Sequence, residues 1–209
     1  MKISVIMASF LQMPNKQDQG RKFIRAVKSF LNQTYQDKEL IIVADGCHIT
    51  MQLYHENFTQ YPNIKIIPIP KQPPYSGEMR NVALTMAMGD IITYLDSDDV
   101  IGKNHLQIIH DQFDFNKYDW VYYNDYLILN KDFTKTQTRT VEPRWASIGT
   151  SSISHKNPKL LENGGKIKWS SGYSHDFIFV MLLNSLGLKF KKLDKNPEYI
   201  VAHYNGGDF

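Results

Sequence analysis

The chain has 209 residues, 42% hydrophobic and 22% charged, a balance that suits a globular protein with one good core. Lys and Arg (24) barely outnumber Asp and Glu (21), and a formal charge of +3 spread over a large surface gives no polyelectrolyte patch for nucleic acid. The single cysteine, Cys47, excludes an intrachain disulfide and a multi-cysteine zinc site, as expected of a cytoplasmic protein kept reduced, and no apolar run approaches the ~18 residues of a membrane span.

In chain order, "ISVIMA" (3 to 8) reads as a strand, and Phe23, Val27, Phe30 and Leu31 then keep a helical period. "LIIVA" (40 to 44) and "IKIIPI" (64 to 69) read as further strands. A helix follows that starts at Ser76-Gly77 and carries Val82, Ala83, Met86 and Ala87 on one face. "IITYL" (91 to 95) is the next strand. Runs apolar at nearly every position suit parallel strands covered on both faces. Beyond residue 100 the pattern loosens. "DWVYYNDYLIL" (119 to 129) alternates like one strand, and residues 131 to 157 show no apolar period, so they form a flap or hold a hairpin. A helix from about Ser174 to Leu186 and a strand near Tyr199 to His203 complete the chain. Lys189, Lys191, Lys192 and Lys195 make either a solvated edge or a peripheral contact with an anionic membrane.

Alternating strand and helix predict an α/β fold, an open doubly wound sheet with right-handed crossovers that binds ligands beyond the carboxyl ends of its strands. Asp45-Gly46 ends one strand and Asp96, Asp98 and Asp99 follow another, so both acidic tips should open on one crevice. Two carboxylates spaced as D-x-D offer hard oxygen ligands to a divalent cation that also takes phosphate oxygens; a plain acidic turn has the same pattern. An EF-hand is excluded, because counting from Asp96 the sixth residue is Ile101 and the twelfth is Gln107.

Taken together, "SFLNQTYQDKELIIVADGC" (29 to 47), "GEMRNVALTMAMGDIITYLDSDD" (77 to 99) and "HD" (175 to 176) resemble, in order and spacing, the family 2 glycosyltransferases of the GT-A fold. The resemblance covers most of the first 100 residues and is thinner beyond. It implies a Rossmann-like, open, twisted, mostly parallel sheet flanked by helices, with a smaller irregular region on the acceptor side. Residues 1–209 would form one domain, 1–100 binding the nucleotide-sugar and 101–209 facing the acceptor. The implied activity moves a sugar from a nucleotide-sugar donor, a UDP-sugar, to a hydroxyl of a glycan, lipid-linked sugar or other small acceptor, with inversion and with Mn2+ or Mg2+.

By the same resemblance Asp45 accepts from the uracil ring, in a slot lined by Ala8 and Ser9, and Arg80, on the helix opened by Gly77, lies near the nucleotide. Asp96 faces the ribose hydroxyls with Ser97 beside it, Asp98 binds the metal, and His203 reaches the metal or a phosphate. Asp176 is the general base that takes the acceptor's proton. Each residue also has a plainer reading. Arg80 is one arm of a surface pair, Asp45-Gly46 a strand-ending turn, Ser174 or Asp176 a helix cap, and His203 a structural histidine. His175 should point away from Asp176 along the helix.

Four departures stand out. Ala44 replaces an acidic residue of the family, Phe10-Leu11 replaces Tyr-Asn, "QMPNKQDQG" (12 to 20) is a longer loop, and His175 stands where the family is acidic. Two other classes stay open: a nucleotide-sugar-binding module without catalysis, and a nucleotidyltransferase, which "ASFLQMPNKQDQG" disfavours by lacking a glycine-rich loop.

Overall fold

Every residue of strand β2 (Lys38–Asp45) is buried, as is β1 (Ile3–Ser9) except at Ala8, because both lie mid-sheet with helices packed on either face. The computed structural model describes residues 1–12, 18–128, 136–204 and 207–208, with 203–204 and 207–208 as backbone alone. After β1 and β2 come α1 (Gln19–Leu31, between them), α2 (His48–Asn57), β3 (Ile64–Ile69), α3 (Gly77–Met86), β4 (Ile91–Tyr94) and β5 (Val100–Ile101). Then follow α4 (His105–Gln112), β6 (Trp120–Tyr122), β7 (Asp125–Ile128), β8 (Thr136–Arg139), β9 (Ile153–Lys156), α5 (His175–Ser185), β10 (Phe190–Lys192), β11 (Tyr199–Val201), β12 (His203–Tyr204) and β13 (Gly207–Asp208).

The main sheet has seven strands in the order β10-β6-β9-β4-β1-β2-β3. It is parallel except for β9, which runs against both β4 and β6. Side chains alternate across it. Ile3, Val5 and Met7 meet Phe23, Val27 and Phe30 of α1 on one face. Ile6, Ile41 and Val43 meet Met79 and Ala83 of α3 and Phe179 and Val180 of α5 on the other. Strand order reverses at β1, between β2 and β4, and the crevice lies beyond their carboxyl ends. A second sheet, β5-β11-β7-β8, is built from the chain from residue 100 onward.

Several expectations change. The stretch 119 to 129 is two strands in two sheets, split at Tyr123-Asn124, and the alternation that suggested one strand is interrupted there. Between residues 131 and 157, β8 does pair with β7 as a hairpin, but "ISHK" (153 to 156) enters the centre of the main sheet. Four residues with Ser, His and Lys among them carry too little apolar signal to be read as a buried strand. Helices α2 and α4 also went unread; α2 buries only Thr50, so it has no apolar stripe to detect. At the lysine-rich edge Lys191 pairs with Asp194 and Lys192 with Glu142, which dilutes the positive patch. No helix among the described residues is long and apolar enough to cross a membrane.

Burying β9 sets a hydrogen-bond direction. His155 Nδ1 lies 2.7 Å from the Lys156 carbonyl and so donates, leaving Nε2 to accept from the Tyr94 hydroxyl at 2.7 Å. Tyr94 in turn accepts from Trp169 Nε1 at 3.0 Å. Burial pushes the His155 imidazole down to about 4, against the opposing pull of the Lys156 carbonyl. His105, wedged edge-on to Tyr123 and Tyr199, has no hydrogen bond to either ring nitrogen among the described residues, and burial pushes it to about 3. Both folded values lie below the ordinary 6.5, so on acidification the unfolded chain takes up protons first. Stability is therefore full above about pH 6.5 and falls as pH drops toward the folded values, by about 2 kcal/mol per histidine at about pH 5. Thermal melts followed by circular dichroism should show this decline, and His105→Phe should flatten it.

Candidate active site

The chain leaves the ends of β1, β2 and β4 as three turns, and with the first turn of α5 they surround a cleft of about 730 Å³. Ala8, Ser9, Asp45, Arg80, Asp96, Ser97, Asp98 and Asp176 all line it. Gly77, expected at the nucleotide, is buried and does not line it, and the His203 side chain is outside the described residues.

Arg80 binds the walls together. It is only 3% exposed, which removes the surface-pair reading. Nη2 lies 3.2 Å from Asp96 Oδ1 and 3.3 Å from Thr150 Oγ1, and Nη1 lies 3.5 Å from Asp176 Oδ1. The guanidinium sits 4.7 Å from the Trp169 ring centroid, and that ring stacks flat on Phe179 of α5 at 3.9 Å. Trp169 is set by a reciprocal pair with Asn81: its N–H donates to Oδ1 at 2.8 Å and its carbonyl accepts from Nδ2 at 3.0 Å. One turn of α3 thus carries both the arginine and the residue that orients its aromatic platform.

The three carboxylates after β4 separate by task. Asp99 is buried and accepts from the Tyr199 hydroxyl at 2.9 Å and the Ala202 N–H at 2.8 Å, fastening the turn to the end of β11. The same tyrosine oxygen accepts from the Asp96 N–H at 3.0 Å. Arg25 of α1 donates to the Asp98 carbonyl at 2.6 Å, and burial lowers that guanidinium's pKa while the neighbouring Asp99 and Asp98 oppose the shift. Asp96 gives one oxygen to Arg80 and the other to Thr150 at 3.3 Å. Asp98 lines the cleft.

At the far end of the crevice Asp45 accepts from Lys71 Nζ at 2.5 Å and from the Gln72 N–H at 2.6 Å, while Lys71 lies over the Phe10 ring at 4.4 Å. Gly46, at φ 60°, completes the strand-ending turn; a Cβ there would stand 2.7 Å from that of Lys71, so the turn and the cleft wall are one structure. The Ser9 hydroxyl is shared with Thr50 of α2 at 2.9 Å.

Two expectations about α5 are corrected. Ser174 occupies the cap position at φ 70° with no side-chain cap bond, and Asp176 lies inside the first turn, so neither is a side-chain cap. His175 does not point away, since its Nε2 is 3.0 Å from Asp176 Oδ1 and its Nδ1 is 3.1 Å from the Gly172 carbonyl. It is the first residue of the helix, where no preceding turn constrains its rotamer. Lys71, Thr150 and Trp169 were not picked out from sequence: they lie in segments without periodicity and reach the cleft only through the fold.

A family model described as Glycosyl transferase family 2 matches residues 13–179. An uncharacterized glycosyltransferase of Nostoc sp. is 30% identical over 144 residues, 69% of this chain, and the match spans 42% of that protein. S. aureus TarS, solved in complex with UDP-GlcNAc, superimposes with a TM-score of 0.74 at 20% identity, over 99% of this chain and 60% of that one. A mannosyltransferase from Pyrobaculum calidifontis, solved with GDP-Man and Mn2+, gives 0.67 at 14% identity over 99% and 58%. At those identities the two structures establish the α/β fold of GT-A glycosyltransferases.

Gly77 meets Ser170 where α3 begins: a Cβ there would lie 2.1 Å from the Ser170 carbonyl oxygen. Gly77→Ala is therefore expected to lower stability by about 1–3 kcal/mol and to loosen the Trp169 platform, measurable by urea denaturation.

Proposed function

The chain belongs to glycosyl transferase family 2, and from that premise we propose that it moves a sugar from a UDP-sugar to an acceptor hydroxyl by one inverting, metal-assisted displacement. The observation that carries the reading is the convergence of Asp98, Asp96, Arg80 and Asp176 on one cleft, from parts of the chain 96 residues apart.

The donor set fits a hard divalent cation. Asp98 lines the cleft, and Mg2+ or Mn2+ is commonly held by one or two carboxylates together with diphosphate oxygens. Bound there, the ion would supply Lewis-acid stabilisation of the charge that builds on the leaving diphosphate. Asp45, held by Lys71 and Gln72, forms the base end of the slot beside Ala8 and Ser9, and Asp96 with Ser97 faces the ribose. His203 remains a further metal or phosphate ligand in this proposal.

Asp176 is the base. Arg80 and His175 both approach its Oδ1, and no hydrogen bond to Oδ2 forms among the described residues, so Oδ2 is the atom that takes the proton. As the acceptor oxygen forms its bond to the sugar's C1, the bond from C1 to the diphosphate breaks on the opposite face and the acceptor's proton passes to Asp176. No second nucleophile is needed. Residues 1–209 act in this reading as one domain, in the cytoplasm, where the buried thiol of Cys47 stays reduced.

Asp176→Asn should keep UDP binding by calorimetry while transfer falls about 10²–10⁴-fold. Unchanged turnover would remove Asp176 as base. Asp98→Ala should abolish the part of UDP affinity that depends on Mn2+; affinity equal to wild type with and without Mn2+ would overturn the metal assignment.

A further inference from the structure

Four aromatic rings stand at the mouth of the cleft. Tyr75, which lines it, contacts the His175 ring at 6.1 Å and the Tyr173 ring at 6.3 Å. Tyr173 contacts Trp145 at 6.3 Å, and Trp145 contacts Phe177 of α5 at 5.8 Å, edge to face. The series therefore runs without a break from His175, the neighbour of Asp176, out to solvent. Tyr173 is 76% exposed and Trp145 55%. Single exposed aromatics are ordinary, but rings in mutual contact beside a cleft form a patch.

The backbone holds these rings where they are. Of the four non-glycine residues with positive φ among the described residues, Tyr75 (82°), Ala146 (57°) and Ser174 (70°) are members of this cluster or directly follow one. Left-handed backbone is unfavourable for residues with a Cβ, and its concentration at one rim is a feature to be explained by what the rim binds. Ordinary packing does not explain it, because Tyr75, Trp145 and Tyr173, the rings at or just before these residues, are all exposed.

We propose that Tyr75, Trp145, Tyr173 and Phe177 form the acceptor subsite, a stacking platform for the pyranose rings of a carbohydrate acceptor. A pyranose has a hydroxyl rim and a face of C–H groups carrying partial positive charge, which packs against the negative face of an aromatic ring. Rigid rings with few rotatable bonds order such a ligand at low entropic cost. Stacking on the rim would lead the terminal sugar inward past His175 to Asp176. The proposal rests on the reading of Asp176 as the base on the acceptor side.

Trp145 supplies its own reporter. Of the three tryptophans, Trp120 and Trp169 are buried, so acrylamide quenching of fluorescence follows Trp145. The probes are neutral linear oligosaccharides of glucose, galactose, mannose and N-acetylglucosamine in α and β linkage, with sorbitol as an open-chain control. UDP with Mn2+ is titrated separately by calorimetry. At least one oligosaccharide is expected to shield Trp145 while sorbitol does not. Tyr173→Ala should weaken that oligosaccharide about tenfold, Tyr173→Phe should stay near wild type, and UDP affinity should be the same in all three proteins. Tyr173 is exposed enough for the variants to fold alike. If no oligosaccharide shields Trp145, or Tyr173→Ala binds it as wild type does, the platform is overturned even where UDP binds. Shielding without UDP binding overturns the donor reading and leaves the platform standing.

Discussion

A guanidinium buried between two carboxylates from distant parts of the chain is the constraint on which the cleft depends. Arg80 has lost nearly all of its water, whereas the side chains of Asp96 and Asp176 remain 39% and 30% exposed. An arginine in that position must keep its partners, because an unpaired buried charge costs several kcal/mol. The carboxylates stay wet on one side, where they border the cleft. The cation thus sets the distance between the end of β4 and the start of α5 without closing the space between them.

That arrangement needs support beneath it. Trp169 lies under Arg80, Phe179 under Trp169, and the indole N–H leads through Tyr94 to His155 of β9. Each member of this series is buried, and each polar atom named in it finds a partner, so the network specifies one arrangement rather than several. The antiparallel strand β9 therefore supports the cleft, although none of its residues lines it. On the other side Asp125, buried, takes Arg139 in a two-bond pair and accepts from Ser151 at 2.6 Å. That pair holds the short turn that carries Thr150 to Arg80, and it raises the Arg139 pKa.

The acidic turn after β4 shows how one local pattern divides under tertiary forces. Three carboxylates in four positions would repel one another on an isolated loop. In the fold Asp99 is drawn inward by Tyr199 and a backbone amide, Asp96 is held by Arg80, and Asp98 borders the cleft. Spacing alone could identify the turn as a candidate site but could not separate the fastener from the residues lining the cleft.

Strands β1, β2 and β4 were legible because each carries a run apolar at nearly every position, as a segment buried on both faces must; β3, at the sheet edge, kept such a run although only Ile64 in it is buried. The placement of Asp45 and Asp96 at the same sheet edge followed from that, since parallel strands joined by right-handed crossovers end on one side. The second half resisted because β9 and β6 are short and owe their burial to neighbours already in place, and because α5 turns His175 toward Asp176 only where the chain bends through the left-handed Ser174. By itself, then, the sequence determined the layered α/β sheet and the edge at which its acidic turns gather, through burial periodicity that acts residue by residue. Only the tertiary structure decided which carboxylate meets which cation, because that choice depends on desolvating Arg80 between segments that no local pattern brings together.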